Sequence, residues 1–459
     1  ELEKAVFLAQ NGRPGPVWID IPLDVQAASI EEKELKGYNP KEDTPAWSKV
    51  PEVSLKDSVS NLIEDLNKSE RPVILAGNGV RLSGSITQLK DLCDFLQIPV
   101  LLTWKAIDFL EENHPLFVGR PGGVGQRGAN FSQQNSDFLL SLGARLDHGQ
   151  TAYQHKYFAR EATKVIVDID KAEIDKLDMD IKYPVVADCK DFIDELLKQK
   201  SKIKPVSKEW LDKCKDWQAK YPVVTEDHFD DDSISNYGFI DMLSYLMPED
   251  ALIIPGSSGG CSEVTMQAFK MKRGQRMFNS EGLGPMGFGI AAAMGGCIAA
   301  GNKPTVCIDG DGGFIMNIQE LEVVKRLNLP IKFFVLNNNG YVSIRNTQET
   351  HFDKKFVASG RSSGLTLPSL QKNAEAYGIP YVRFDTMSDL WDIDDSRLLE
   401  QDGPIICEVM LPEDHVTAPK ASVYKTKDGQ FMARPMEDLA PFLDRDEFLE
   451  NMIIAPIDE

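Results

Sequence analysis

No uninterrupted apolar run in this chain reaches the roughly 18 residues that a membrane helix requires, so no membrane span is expected. Basic residues are in the minority: 50 Lys and Arg against 71 Asp and Glu leave a net charge of −21. With no polybasic block to offset it, that charge repels nucleic acid and anionic lipid, and neither is expected as a partner. The start, Glu1 to Ala5, lacks the charged-then-apolar form of a secretory signal. Cysteines number seven, at 93, 189, 214, 261, 297, 307 and 407, with no Cys-x-x-Cys pair. An odd, scattered set fits reduced thiols in a cytoplasmic protein better than disulfides or a zinc site. Cys261, next to the Gly259-Gly260 pair, is read as structural as well. No segment repeats at a fixed period, which excludes a solenoid or propeller.

What is present is an alternation of short apolar runs and amphipathic stretches, the signature of α/β architecture. At 459 residues the length suits about three domains. Residues 1–28 read as a helix end, a turn at Gly12 to Gly15 and a strand from Val17 to Ile21. One helix and one strand cannot bury a core, so this piece is expected to be the end of a larger domain. Residues 29–50, rich in Glu and Lys, read as a linker. Residues 51–200 are expected to form a central α/β domain, with helices at 55–66 and 86–96 and strands at 73–75, 100–102, 138–142 and 165–167. Glycines 77, 79, 122, 123, 125 and 128 fall at the predicted strand ends, where they either form turns or cradle a nucleotide. A charged linker is expected over 201–232, a further parallel α/β domain over 233–425 and a C-terminal arm over 426–459. The expected fold is thus two doubly wound parallel sheets plus the remnant of a third domain.

Within residues 233–425, two apolar runs, 305–309 and 331–336, read as buried parallel strands. Between them, apolar residues at 318, 321, 323, 324 and 327 suit one face of a crossover helix over 317–327. That unit brings the ends of both strands to one sheet edge, where open α/β sheets bind ligands. Gly310-Asp311-Gly312-Gly313 follows the first strand and Asn337-Asn338-Asn339-Gly340 the second, with Asn338 placed 27 positions after Asp311. Mg²⁺ takes hard oxygen ligands and commonly combines one carboxylate with phosphate oxygens and water. Asp311, the amide oxygen of Asn338 and the carbonyl of Gly340 would supply three such oxygens. Glycines at 310, 312 and 313 let backbone N–H groups approach an anion. Each piece alone reads as a turn; the pair at two strand ends reads as a divalent metal and diphosphate site.

This span resembles the diphosphate motif of thiamine-diphosphate enzymes. Nearly the whole chain is similar to the acetolactate synthase-like branch, including Arg13 to Pro22, Ser141 to Arg145 and Gly282 to Gly289. The resemblance implies thiamine diphosphate and Mg²⁺ as cofactors, with Asp311, Asn338 and Gly340 on the ion. It implies that Met286 bends the coenzyme, that the Gly284 carbonyl meets its aminopyrimidine, and that Gly256, Ser257 and Ser258 form a second diphosphate contact beside Gly310, Gly312, Gly313 and Tyr341. The activity implied is decarboxylation of a 2-oxo acid with transfer of the acyl carbanion to an acceptor, in a homodimer or homotetramer whose sites lie between subunits. FAD is held by the central domain in some relatives, which keeps a flavin-coupled oxidase as a rival. The family's activating Glu has no candidate here. It is expected upstream of Glu1, through truncation rather than a separate subunit, and a non-catalytic cofactor-binding subunit is the other rival.

Some positions depart from the acetolactate synthase pattern. Where that family has the Asp-Arg pair that grips an acceptor carboxylate, this chain has His148 and Gly149, and Thr347 replaces a Trp. Arg345, Arg127, Gln150 and His155 are the alternatives for that role, against the plainer reading of each as a surface or packing residue. Among six histidines, His351 is the candidate for proton transfer, because an unperturbed imidazole titrates near neutrality; His415 and Gln348 rank below it. Gly282, Gly284 and Gly287 match G-x-G-x-x-G, but no good strand precedes them, so a nicotinamide site is not expected.

Overall fold

The computed structural model describes residues 1–43, 55–229, 233–257, 259–395, 397–425 and 431–457. Two parallel six-stranded sheets organise it. The first contains β1 (Pro72–Ala76), β2 (Val100–Leu102), β3 (Phe117–Gly119), β4 (Phe138–Leu142), β5 (Thr163–Asp168) and β6 (Tyr183–Val186) in the order β3-β2-β1-β4-β5-β6. The second contains β7 (Leu252–Pro255), β8 (Arg276–Met277), β9 (Thr305–Gly310), β10 (Ile331–Asn337), β11 (Tyr381–Phe384) and β12 (Ile405–Met410) in the order β11-β12-β10-β9-β7-β8.

The apolar runs form strands because both faces of each sheet are covered. In β10, Phe333 and Val335 pack into one core with Leu321 and Val324, while Phe334 and Leu336 pack into another with Phe239 and Ile240. A strand with partners on both sides has no position that prefers water, hence the unbroken hydrophobicity. In the helix Leu55–Leu66 the buried residues are Val59, Leu62, Ile63 and Leu66, the spacing of a single helical face. Among the described residues no helix is long and apolar enough to cross a membrane.

Four expectations change. The crossover is shorter than residues 317–327: a 3₁₀ turn Ile318–Glu320 leads into the helix Leu321–Arg326. Asn317 stays outside because its side-chain Nδ2 donates to the Gly287 carbonyl at 2.9 Å. Residues 17–21 are extended but form no strand, since no described strand lies beside them, and Trp18 is 90% exposed. The stretch expected as a linker over 201–232 carries the helix Lys208–Lys220, whose Trp210, Leu211, Cys214 and Trp217 belong to the central-domain core. Its charges lie on the outer face, so composition hid an amphipathic element. The C-terminal arm returns to the same core through Met436 and Phe448, and within the expected linker 29–50 short helical turns occur at Glu32–Glu34 and Pro40–Asp43.

Trp217 joins this helix to the C-terminal arm, its indole N–H donating to Asn451 Oδ1 at 2.8 Å while the residue is 1% exposed. Trp217→Ala should therefore cost about 3–5 kcal/mol, read as a lower urea midpoint of the central-domain transition. A midpoint unchanged from wild type would show that residues 208–220 are not part of that core.

Candidate cofactor site

The order of the second sheet reverses between β7 and β9, and in open α/β sheets ligands bind beyond the strand ends at such a point. β7 runs out into Gly256-Ser257, β9 into Asp311 and β10 into Asn338, so three of the expected loops meet there. Ser258 lies outside the described residues.

Asp311 is 4% exposed and ties the loops together. One carboxylate oxygen accepts from Gly312 N–H at 2.8 Å and the other from Gly340 N–H at 3.0 Å. Burial pushes its carboxyl up to about 6, against the opposing effect of those two hydrogen bonds. The three asparagines separate by role. Asn337 turns away, its Nδ2 donating to Glu408 Oε1 on β12 at 2.6 Å and its Oδ1 accepting from Asn339 N–H at 3.0 Å. Asn338 is 7% exposed and its Oδ1 is buried without a hydrogen-bond partner. A buried acceptor left unsatisfied costs about 1–3 kcal/mol, so its persistence calls for an explanation.

The donor set fits a divalent cation. Among the described residues no three His, Cys, Asp or Glu side chains are grouped to hold a metal. An ion at Asp311 would therefore meet one carboxylate and otherwise neutral oxygens, the orphaned Oδ1 of Asn338 and the Gly340 carbonyl. That suits Mg²⁺ completed by phosphate oxygens. Space is kept by glycines: a Cβ on Gly312 would overlap the Tyr341 ring, and Gly340, at φ 148°, sits against Ser359 O and Arg345.

Two further residues hold this geometry: Asp309, which the sequence did not single out, and Arg345, which it offered in another role. Asp309, at the end of β9, is 2% exposed, and Cβ atoms on Gly256, Gly289 or Gly313 would all run into its carboxylate. Burial pushes that carboxyl up to about 7. Its signal in the sequence was a carboxylate at the end of an apolar strand. Arg345 donates to the carbonyls of Asn338 at 3.1 Å, Ser359 at 3.2 Å and Glu413 at 2.9 Å. It braces the Asn338 loop and is no longer available as a substrate clamp.

The remaining candidates are dispersed. Gly284, at φ 50°, lies over the Ser257 carbonyl, and Met286 is 37% exposed at the same rim. Gln348 is used within its own loop, where its Oε1 accepts from the Ser359 hydroxyl at 2.8 Å. His415 is half-buried, and desolvation lowers its imidazole to about 4. His351 is the exposed last residue of the helix Val342–His351, roughly 14 Å along the axis from its start beside Tyr341. Arg127 is spent on the carbonyls of Leu439 and Pro441, Gln150 on that of Pro121, and His155 Nδ1 accepts from Asp178 N–H. In the central domain, Gly77 and Gly79 let the loop after β1 lie directly on the backbone of Gly143 and Ala144, so the protein itself uses their missing Cβ atoms.

A doubly wound domain with a carboxylate, an orphaned carboxamide oxygen and glycine loops at its switch point has the groups that a diphosphate held through a metal ion would need. Comparison with known proteins narrows this. Residues 258–409 match the family model of the thiamine pyrophosphate enzyme C-terminal TPP binding domain, and residues 59–196 match that of the thiamine pyrophosphate enzyme central domain. The acetolactate synthase large subunit of Lactococcus lactis subsp. lactis (strain IL1403) is 31% identical over 90% of this chain and 69% of its own length. Acetolactate synthase isozyme 1 large subunit of Escherichia coli (strain K12) is 33% identical over 78% of this chain and 61% of its own length. A probable acetolactate synthase large subunit of Methanocaldococcus jannaschii is 33% identical over 83% and 64% respectively. The chain belongs to the thiamine pyrophosphate enzyme family, and it spans 61 to 69% of the length of these relatives.

Because Arg345 holds three carbonyls at once, Arg345→Ala should cost about 2 kcal/mol and speed amide exchange at Gly340 and Tyr341. Hydrogen exchange read by mass spectrometry checks this, and protection equal to wild type would remove Arg345 from the support of the loop.

Proposed function

We propose that this protein is an acetolactate synthase-like carboligase that binds thiamine diphosphate through Mg²⁺ at Asp311, Asn338 and Gly340. The observation that carries the reading is the buried, unpartnered Oδ1 of Asn338 in the loop whose Gly340 N–H donates to the Asp311 carboxylate. Bound there, thiamine diphosphate would supply the electron sink that lets a 2-oxo acid lose CO₂ and the nucleophilic acyl equivalent passed to an acceptor. The chain's own residues bind and orient. Asp311 and Asn338 hold the ion, while Gly256, Ser257, Gly310, Gly312 and Gly313 leave backbone room for the diphosphate, with Ser258 assigned by resemblance. Gly284 and Met286 shape the rim toward the ring end, and Tyr341 closes the floor over Gly312.

The donor proposed is a 2-oxo acid, and the assembly proposed is a homodimer or homotetramer. Exposed Phe278, Leu283 and Met286 at the rim, together with Val17, Trp18 and Ile21, give apolar surface of the kind that partners cover. All seven cysteines are buried and none is disulfide-bonded, which supports a reducing, cytoplasmic setting. A flavin-coupled oxidase would instead consume oxygen and purify yellow, and the contacts already made by Gly77 and Gly79 favour the carboligase.

Asp311→Ala should abolish Mg²⁺-dependent binding of thiamine diphosphate, measured by calorimetry on the full-length protein, and retained affinity would contradict the metal assignment. Asn338→Ala should weaken the same binding by at least about tenfold, whereas Asn337→Ala should act chiefly on stability, because Asn337 is tied to Glu408. His351→Ala decides the proton-transfer role: a loss of turnover of about tenfold or more, within the range of general acid–base catalysis, keeps the imidazole in the mechanism, and unchanged turnover removes it.

A further inference from the structure

The loop after β7 carries one side of the proposed diphosphate cradle, and its near end is fixed by the sheet: Gly256 N–H donates to the Ile308 carbonyl of β9 at 2.6 Å. Beyond it the chain turns through Gly259–Glu263 in a wide π-helical turn that leads into the short helix Val264–Ala268. Turns of this kind are rare and recur at functional sites. Side chains hold this far end. The Gly260 carbonyl accepts from Asn236 Nδ2 at 2.7 Å. A Cβ on Gly259 would lie 3.0 Å from Glu263 Oε2, 3.3 Å from Ser343 Oγ and 3.5 Å from Thr417 Oγ1, so oxygens from three separate segments crowd around one glycine.

Those segments are joined to one another. The chain that leaves β12 is tied step by step to the Asn338 loop and to the helix after it. Leu411 N–H donates to the Asn337 carbonyl at 2.8 Å, and the carbonyls of Glu413 and His415 accept from Arg345 Nη2 at 2.9 Å and from Asn346 Nδ2 at 3.2 Å. Thr417, two residues further on and 7% exposed, crosses to the other side, where its hydroxyl donates to the Glu263 carboxylate. Residues 411–417 therefore form a bridge, with one end on the wall that carries Asn338 and the other on the wall that carries Gly256 and Ser257. Glu263 is the residue of the second wall that the bridge grips.

We infer that Glu263 is a positioning residue: by holding Thr417 it sets the distance between the loop that begins at Gly256 and the Asn338 loop, and with it the width of the gap that a metal-bound diphosphate spans. It acts through the loop and not on the ligand. A half-buried carboxyl needs hydrogen bonds to offset its lost hydration. Burial pushes the Glu263 carboxyl up, and the Thr417 hydroxyl and the Lys420 ammonium oppose that shift. Two walls that each carry part of a site bind more tightly when their spacing is fixed before the ligand arrives, because the cost of ordering them then does not weaken binding. The role in coenzyme binding rests on the thiamine diphosphate reading of the Asp311 site, whereas the link between Glu263 and Thr417 belongs to the fold.

The affinity of the full-length wild-type protein for thiamine diphosphate with Mg²⁺ is measured first, by calorimetry. Thr417→Val, which keeps the methyl and removes the hydroxyl, Thr417→Ser, which does the reverse, Glu263→Ala and the Glu263→Ala/Thr417→Val double variant are then compared with it. Without coenzyme, Thr417→Val and Glu263→Ala should each speed amide exchange over residues 259–264 by about tenfold, the loss of one hydrogen bond to a charged group. With coenzyme, each should lower affinity by about tenfold, and the double variant should lose no more than either alone, because both changes break one link. Thr417→Ser should restore protection and affinity, a rescue that separates the hydrogen bond from packing. Wild-type exchange and affinity in Thr417→Val would overturn the proposal even if Glu263→Ala failed to fold, as would additive losses in the double variant. Faster exchange with unchanged affinity would overturn the positioning role while leaving the link in place. Wild-type protein that bound no coenzyme would overturn the reading of the Asp311 site, and the positioning role with it, before any variant is compared.

Discussion

The two hydrogen bonds accepted by Asp311, from Gly312 on one side and Gly340 on the other, close the carboxyl ends of β9 and β10 into one cradle. Everything else at the site follows from that closure. It requires β9 and β10 to be adjacent and parallel, with Gly310 opposite Leu336 in the ladder. It requires residue 340 to take a positive φ against the Ser359 carbonyl, which only glycine does without strain. It also places a carboxylate in a buried position, where the charged form is disfavoured unless a cation arrives. The neighbouring Asp309 carries the same burden and is surrounded by Gly256, Gly289 and Gly313, so the glycines of three loops serve a packing need as well as any ligand.

The central domain is built into the site through its edge. Asp108, with a side chain 2% exposed, pairs with Arg81 of its own domain and with Arg276 on β8. Its Oδ2 also accepts from Met277 N–H at 3.2 Å, so one buried carboxylate fixes the short strand that feeds the rim segment. Arg120, 1% exposed, donates to the carbonyls of Met266, Gln267 and Phe269, and its remaining charge meets Glu112 at 2.9 Å. Buried charges so fully partnered are costly to separate, which argues against free hinging between the domains. The segment that follows β8 is therefore held by both domains.

The sequence was legible wherever a periodic pattern and a local chemical need coincided. Leu55–Leu66, Ile86–Leu96, Val100–Leu102 and Phe138–Leu142 appear as read, because burial on one face or on both leaves a simple hydrophobic code. Asp311 and Asn338 were legible as a pair because two strand ends must converge. What composition concealed was the helix Lys208–Lys220, where charges on the wet face outnumber the buried Trp210, Leu211, Cys214 and Trp217. Arg345, Arg127 and Gln150 were unreadable for another reason: their partners are backbone carbonyls tens or hundreds of residues away in some cases, and no side-chain pattern marks a carbonyl. Asp309 carries meaning only through what surrounds it in space.

The poverty of the donor set has a thermodynamic consequence on the proposed reading. One carboxylate and two neutral oxygens form a weak cage for a strongly hydrated ion, and Mg²⁺ rarely occupies such a cage without phosphate oxygens to complete it. A diphosphate alone would face the Asp311 carboxylate, a like charge. Each ligand thus removes the obstacle to the other, the ion by neutralising Asp311 and the diphosphate by filling the ion's remaining positions. The coupling is reciprocal by linkage. The orphaned Asn338 oxygen and the raised Asp311 carboxyl are two aspects of one condition: a site whose internal costs are relieved together when both ligands are bound.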